Sequence, residues 1–371
     1  MMKVKTRTAD LRGTSYDIGY QVGKFTGKIP PLEQLHVGGM DGFDASKVKE
    51  AFTLFDRWCP GLTDELHGFA DALSVRPEQI FFYGMTYMMP QCSQIAVLPS
   101  ITSEGKPLLA RNYEFSHDFE DFCLVKTAVD GKFTHIGTSA LQFGRDDGVN
   151  EHGLAVTMSA CGCPVAPLPN LRKPQLKGLQ HWAVVRALLE NCLNVQEGLA
   201  YLKGMPIACN INLVLMDKVG NVALFEIMDG KHVIKEIDAH STEQILWATN
   251  HPVLPDLVSY EPKAYTHSIR RYEWIGEQLS GKTDISKNQL KDMLLSKYPN
   301  GLCCHYFKEY FGTTKSMVIS PVDESVELCW GGREENGWRA YAIEDTLEPE
   351  VREIELPYDT PSPMTFEFRD L

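Results

Sequence analysis

At residue 92 the texture of this chain changes, and that change restricts the folds open to it. The first ninety residues read as helical. Tyr16-Asp17-Ile18-Gly19-Tyr20-Gln21-Val22-Gly23 opens one amphipathic stretch and Lys47 to Trp58 forms another. Thr63 is placed to cap a third, whose apolar positions Leu66, Phe69, Ala70 and Leu73 recur at helical spacing. After Cys92, short apolar runs bounded by Gly, Asn, Asp and Ser take over: Ile95 to Leu98, Pro107 to Ala110 and Gly153 to Met158. Those are strand signals. A helix is expected from about Leu179 to Leu202, then a hairpin of Asn212 to Met216 and Val222 to Ile227 around Asp217-Lys218-Val219-Gly220-Asn221. Another helix is expected over Thr266 to Leu279, with late strands at Ser316 to Ile319, Val326 to Trp330 and Trp338 to Ile343. Two groups of strands with helices between and outside them predict an α+β sandwich.

Length and charge narrow the partners. A chain of 371 residues can build a large core, and 43% hydrophobic with 23% charged residues is an ordinary globular mixture. With Lys plus Arg at 36 against Asp plus Glu at 49, the formal charge is −13, which repels polyanions and argues against nucleic acid and anionic membrane surfaces. No apolar run approaches the length of a bilayer span, and Met1 to Thr8 lacks the apolar stretch of a secretory signal. The expectation is a soluble cytoplasmic protein.

Ten cysteines spread over this length do not form the framework of a small secreted domain, so free thiols are expected. Cys161-Gly162-Cys163 and Cys303-Cys304-His305 lack the paired spacing of a structural zinc site. Neither a metal nor a cofactor is expected.

The chemistry centres on Gln91-Cys92-Ser93-Gln94-Ile95-Ala96-Val97, a cysteine entering the first strand after the helical region. Nineteen residues on, Leu109-Ala110-Arg111-Asn112-Tyr113-Glu114-Phe115 puts a cation and a carboxylate near the end of the expected partner strand, so that a hairpin brings Arg111 beside Cys92. An adjacent guanidinium favours the thiolate, and a carboxylate can hold an ammonium group. Each feature also has a plainer reading: a cysteine entering a strand is commonly inert core, and an Arg with a nearby Glu is commonly a surface pair.

Seven short segments in order resemble the acyl-coenzyme A:6-aminopenicillanate acyltransferase family and, more distantly, the choloylglycine hydrolase and penicillin V acylase family. They are Gly13 to Gly23, Asp64 to Ala72, Gln91-Cys92-Ser93, Arg111 to Glu114, Gly148 to Leu154, Asn212 to Asp217 with Gly220, and Thr249-Asn250-His251 followed by Ser268 to Tyr272. The resemblance implies a four-layer αββα N-terminal-nucleophile (Ntn) hydrolase fold and a precursor cut just before the nucleophile. Residues 1–91 would then be a retained helical chain, and residues 92–371 the catalytic domain opening on Cys92. It implies further that Arg111 stands beside the thiol, that Asn212 faces the oxyanion, and that Arg271 is the later arginine of a Ser-x-x-Arg-Tyr-like segment. Glu114 stands where the choloylglycine branch commonly has Asp, and Gln91 where the penicillin-forming enzyme is cut after Gly.

The implied substrate is a small N-acyl amide, with an acyl donor such as acyl-coenzyme A where acyl transfer replaces hydrolysis. The free amine of Cys92 would act as base, and a thioester would be released by water or an amine. Asn210 shares a strand face with Asn212, and the spacing to Asp217 favours Asn212. Asn250-His251 reads as structural or substrate-facing, Glu151 as closing a turn, and Trp330-Gly331-Gly332 as strand end and core. The other reading is an uncut, non-catalytic or binding protein of the same fold, with Cys92 buried behind residues 1–91.

Overall fold

A computed structural model describes residues 1–38, 45–80, 90–163, 165 and 172–371. The chain opens on strand β1 (Met2–Gly13), followed by helices α1 (Ser15–Thr26), α2 (Pro30–His36), α3 (Ala45–Trp58) and α4 (Leu62–Leu73). Then come β2 (Gln91–Val97), β3 (Leu108–Phe115), β4 (Cys123–Val129), β5 (His135–Ala140), β6 (Gly144–Arg145), β7 (Asp147–Asn150) and β8 (Ala155–Ala160). Helices α5 (His181–Asn191) and α6 (Val195–Leu202) lead to β9 (Ile211–Met216), β10 (Val222–Met228), β11 (Lys231–Ile237) and β12 (Ile245–Ala248). The last third holds α7 (Pro255–Tyr260), β13 (Lys263–Tyr265), α8 (Thr266–Leu279), α9 (Lys287–Leu295), β14 (His305–Tyr306), β15 (Phe311–Ser320), β16 (Ser325–Trp330), β17 (Arg339–Ala342), β18 (Val351–Leu356) and β19 (Phe368–Asp370).

Two sheets carry the architecture. The larger runs β11-β10-β9-β8-β7-β5-β4-β1-β18, and the smaller runs β12-β2-β3-β15-β16-β17. Strand alternation sorts their side chains into three apolar layers. Between the sheets, Ala96, Leu109, Met317 and Ile319 of the smaller sheet meet Ala155, Val214, Met216 and Leu224 of the larger. On the far side of the larger sheet, Met158, Leu213 and Phe225 pack under Phe55, Leu66, Phe69 and Leu188 of the helices. On the far side of the smaller sheet, Ile95, Val97, Ala110 and Val318 pack against Ile275 and Leu279 of α8 and Leu290 and Leu294 of α9. Helix, sheet, sheet and helix are therefore stacked as the four-layer αββα sandwich of the Ntn hydrolase fold.

Several expectations need correction. Residues 2–13 form a strand, although the region was expected to be helical. Thr6 and the partly buried Val4 turn inward while Lys3 and Lys5 face solvent, a period of two that a helix cannot use. This strand lies parallel to β4 and antiparallel to β18, within the larger sheet. The helix expected over Leu179 to Leu202 is two helices, because the Asn194 side chain caps α6 by accepting from Glu197 N. Asn150 Nδ2 meanwhile takes the carbonyls of Leu189 and Cys192 at 3.0 and 2.8 Å, satisfying the end of α5. Thr63 is not a cap: α4 begins at Leu62 after Gly61, whose φ of 87° suits glycine.

The glycines of the first motif have a packing reason. A Cβ on Gly19 would lie 1.8 Å from Glu65 O, and one on Gly68 would lie 2.1 Å from Tyr16 O. Helices α1 and α4 therefore touch backbone to backbone. Thr14 closes a capping box with Asp17 at the start of α1.

Candidate active site

Pairing of β2 with β3 sets Cys92 opposite Tyr113 and Gln94 opposite Arg111, so Arg111 and Cys92 are diagonal neighbours on the face turned to the larger sheet. Arg111 Nη2 donates to Cys92 Sγ at 3.1 Å. Its Nη1 donates to Asp146 O at 2.7 Å and to Asp147 Oδ2 at 3.0 Å. Asp147 is in turn held by Thr138, whose N and Oγ1 donate to Oδ1 at 2.9 and 2.8 Å. Neither Cys92 nor Arg111 has solvent-exposed surface, which removes the reading of Arg111 as a surface ion pair. Burial pushes the Cys92 thiol up to about 12 against the opposing pull of Arg111, so in the intact chain the sulfur keeps its proton at neutral pH.

Glu114 is three residues from Arg111 and so lies on the other face of β3, opposite Gln91. There it meets Arg271 from α8, with Nη1 to Oε2 at 3.1 Å, and accepts from Thr313 Oγ1 at 3.0 Å. Burial raises the Glu114 carboxyl to about 7, with Arg271 the main opposing influence. Arg271 reaches further: Nη2 donates to Asn250 Oδ1 at 2.6 Å and Nε to His267 O at 3.2 Å. The bond between Gln91 and Cys92 is thus bracketed, with Arg111 on one face of the sheet and Glu114 with Arg271 on the other.

Asn212 does not offer its amide to the sulfur. Its Nδ2 donates to the carbonyls of Thr249 and His251 at 3.1 and 3.3 Å, and the atom left without a partner is its oxygen. In this arrangement the Asn212 side chain straps the segment that carries Asn250. Cross-strand from it, Glu226 holds the next stretch of that segment by accepting from Val253 N and Leu254 N at 2.8 and 3.0 Å. Asn250, read from sequence as structural or substrate-facing, is the amide that joins the cluster: it is tied to Arg271, and its Nδ2 donates to Ala160 O at 3.3 Å. Ala160 N in turn donates to Pro90 O, two residues before Cys92. Sequence reasoning also passed over Asp146, Asp147, Thr313 and Lys315. The two Asp residues directly precede the quoted Gly148 segment, and Lys315 interrupts an otherwise uncharged strand.

The remaining candidates are structural. Trp330 is core between the sheets, and Glu151 Oε1 accepts from Thr134 N at 2.9 Å. Cys303 Sγ lies 3.4 Å from His305 Nε2, but that nitrogen is 3.0 Å from Gly331 O and must carry its proton there, so it cannot act as a base for the thiol. All ten cysteines are free, and among the described residues no group of three or more His, Cys, Asp or Glu is placed to hold a metal ion.

Residues 101–335, well over half of the chain, match the family described as acyl-coenzyme A:6-aminopenicillanic acid acyl-transferase. The chain belongs to that family. Family membership supports an Ntn-type amide hydrolase or acyltransferase. Arg111, Glu114, Asn212, Asn250, Arg271 and Lys315 lie inside the matched span, and Cys92 lies nine residues before it. Among solved structures, a mutant of conjugated bile acid hydrolase from Clostridium perfringens is 13% identical over 73% of this chain and 99% of its own, with a TM-score of 0.48. Penicillin V acylase from Agrobacterium tumefaciens is 17% identical over 64% of this chain and 83% of its own, with a TM-score of 0.40. A Caenorhabditis elegans ortholog of N-acylethanolamine-hydrolyzing acid amidase is 14% identical over 62% and 93%, with a TM-score of 0.41. No curated protein sequence matches the chain.

Proposed function

We propose that this acyl-transferase-family protein is a cysteine-dependent Ntn enzyme that cleaves or transfers the acyl group of small linear N-acyl amides after cutting itself between Gln91 and Cys92. The observation that carries the proposal is the fully buried contact between Cys92 Sγ and Arg111 at the start of β2. In the intact chain the Cys92 nitrogen is a planar amide and cannot take the thiol proton. Processing therefore comes first. The thiol attacks the Gln91 carbonyl, the acyl group moves from nitrogen to sulfur, and water cleaves the resulting thioester to leave Gln91 as a carboxylate and Cys92 with a free amine and a free thiol.

That amine then serves as base for its own thiol, because an amino terminus titrates near pH 8. The thiolate, held by Arg111, attacks the substrate carbonyl, and N–H groups lining the site receive the oxyanion. Each such donor contributes about 2.7 to 4 kcal/mol of transition-state stabilisation. The leaving amine takes the proton and departs, giving a thioester that water hydrolyses or a second amine intercepts. Acyl-coenzyme A, itself a thioester, can supply the acyl group by the same attack. Glu114 and Arg271 hold the Cys92 end of the strand and steady the new amine. With ten free thiols, and with no helix among the described residues long and apolar enough to cross a membrane, we place this chemistry in the reducing cytoplasm.

Denaturing mass analysis before and after an activated acyl ester tests the proposal. The expected result is two fragments, the larger beginning at Cys92 and gaining one acyl group that Cys92→Ala does not gain. Full turnover by Cys92→Ala would overturn the nucleophile. A single uncut chain without activity would favour the non-catalytic reading, in keeping with the buried, protonated thiol of the intact chain.

A further inference from the structure

Among the buried cations that the mechanism so far leaves unused is Lys315. The Lys315 side chain has no solvent-exposed surface, and an ammonium taken out of water costs several kcal/mol unless it is paired. Its aim is set by a bulge in β15 between Thr313 and Lys315. Without that bulge, residues two apart would share a face. With it, Thr313 turns outward to Glu114 while Lys315 turns inward, opposite Tyr113.

Inside, Lys315 Nζ donates to Glu120 at 2.9 and 3.0 Å and to Asp146 Oδ2 at 2.7 Å. It also stands 4.0 Å from the centre of the Tyr113 ring, whose other cationic neighbour is Arg111 at 4.9 Å. The residue that Lys315 grips by its carboxylate is the one whose backbone oxygen grips Arg111. We infer that Lys315 is a positioning residue for the proposed nucleophile: through Asp146 it holds the guanidinium of Arg111 against the sulfur of Cys92. The inference rests on Cys92 being the nucleophile.

The charges around this link are accounted for. Glu120 and Asp146 face Lys315, with Asp147 just beyond, and His181 of α5 stands 3.5 Å from the other oxygen of Asp146. Around Cys92 stand Arg111, Glu114, Asp146 and Arg271. Burial alone would raise the Asp146 carboxyl, but Lys315 and His181 more than offset it and hold it at about 2. If the ammonium is removed, Asp146 and Glu120 lose the cation between them, and the strong cation already bonded to Asp146 through its backbone oxygen is Arg111. A guanidinium drawn toward Asp146 leaves the sulfur, and the thiol then gives up its proton less readily.

The test compares wild type, Cys92→Ala, Lys315→Met and the double variant Glu120→Gln/Lys315→Met. The double variant removes Glu120 together with Lys315 and so leaves one buried carboxylate without its cation, Asp146, instead of two; it serves where Lys315→Met alone fails to fold. Processed enzyme is assayed with p-nitrophenyl acyl esters over a range of pH, and labelling of Cys92 by iodoacetamide is followed by peptide mass over the same range. In the double variant kcat should fall at least about tenfold with KM within about twofold. The midpoint of the rising limb, in both rate and labelling, should move up by about one pH unit. A double variant with the wild-type midpoint overturns the inference, whether its rate is normal, so that Lys315 only neutralises Glu120, or low, so that Lys315 is only a packing group. Unchanged ester turnover by Cys92→Ala would instead overturn the nucleophile itself.

Discussion

Arg111 spends its donors on three different acceptors: a sulfur, a backbone oxygen and a carboxylate. Lysine keeps the charge but not the planar fork that serves all three. Arg111→Lys should therefore lower kcat/KM about a hundredfold, as expected for loss of one charge-assisted hydrogen bond of about 3 kcal/mol, with little change in unfolding midpoint. An unchanged rate would reduce Arg111 to a buried structural ion. Glu114 supplies a pH prediction. Its carboxyl lies at about 7 in the fold against an ordinary value of 4.5, because burial disfavours the anion. A carboxyl raised on folding stabilises the native state fully below its unfolded value, and that contribution is lost as pH rises through the folded value. Between pH values below 4.5 and above 7, wild type should accordingly lose more stability than Glu114→Gln, read as the difference of their urea midpoints. Equal losses in the two proteins would mean that Arg271 keeps Glu114 ionised throughout.

At the scale of elements, the hairpin of β2 and β3 was legible because nineteen residues of strand, turn and strand return Arg111 to Cys92. Helix α8 was legible to the residue, since its apolar spacing ends at Leu279. The break between α5 and α6 was not, because Asn150, more than forty residues upstream of the gap, supplies the partner for the open carbonyls. Nor was the reach of Asn212: its register on β9 could be read, but the carbonyls of Thr249 and His251 come from a segment that only the fold lays across it. The first motif also acts at this scale. Gly19→Ala should destabilise the protein by about 1 to 3 kcal/mol through overpacking, because the added methyl meets the backbone of α4 rather than a side chain that can swing away. Thermal or urea unfolding measures it, and a midpoint equal to wild type would show that α1 and α4 can separate freely.

For the whole molecule the N-terminal segment matters most. Strand β1 is hydrogen-bonded along one edge to β4 and along the other to β18, so it forms an interior strand of the larger sheet. Helix α4 adds Leu66 and Phe69 to the core, each side chain worth about 1.5 to 3 kcal/mol on burial. Glu65 meets Arg186 of α5 at 2.5 and 2.9 Å, with both side chains buried. If Gln91-Cys92 is cut, the fragment of residues 1–91 should stay bound through gel filtration in high salt, which screens surface charges but not these contacts. It should leave only in denaturant. Separation of the two fragments in salt alone would mean that the segment is held mainly by surface charge.

What the sequence determined by itself was whatever depends on near neighbours along the chain: the helical spacing of α3, α4 and α8, the hairpin that pairs Cys92 with Arg111, and the order of motifs that carries the family. Tertiary structure decided which donors remain open. Asn210, Asn212 and Asn250 are the same residue type, and nothing local says that the amide of Asn212 is consumed by two carbonyls while Asn250 is drawn to Arg271. It also decided the place of β1, whose partners lie more than a hundred residues away, and the inward turn of Lys315, which depends on a single bulged residue. The physical reason is common to all three. A hydrogen-bonding group or a charge is settled by what surrounds it in space, and burial raises the energy of that choice far above anything the local sequence can express.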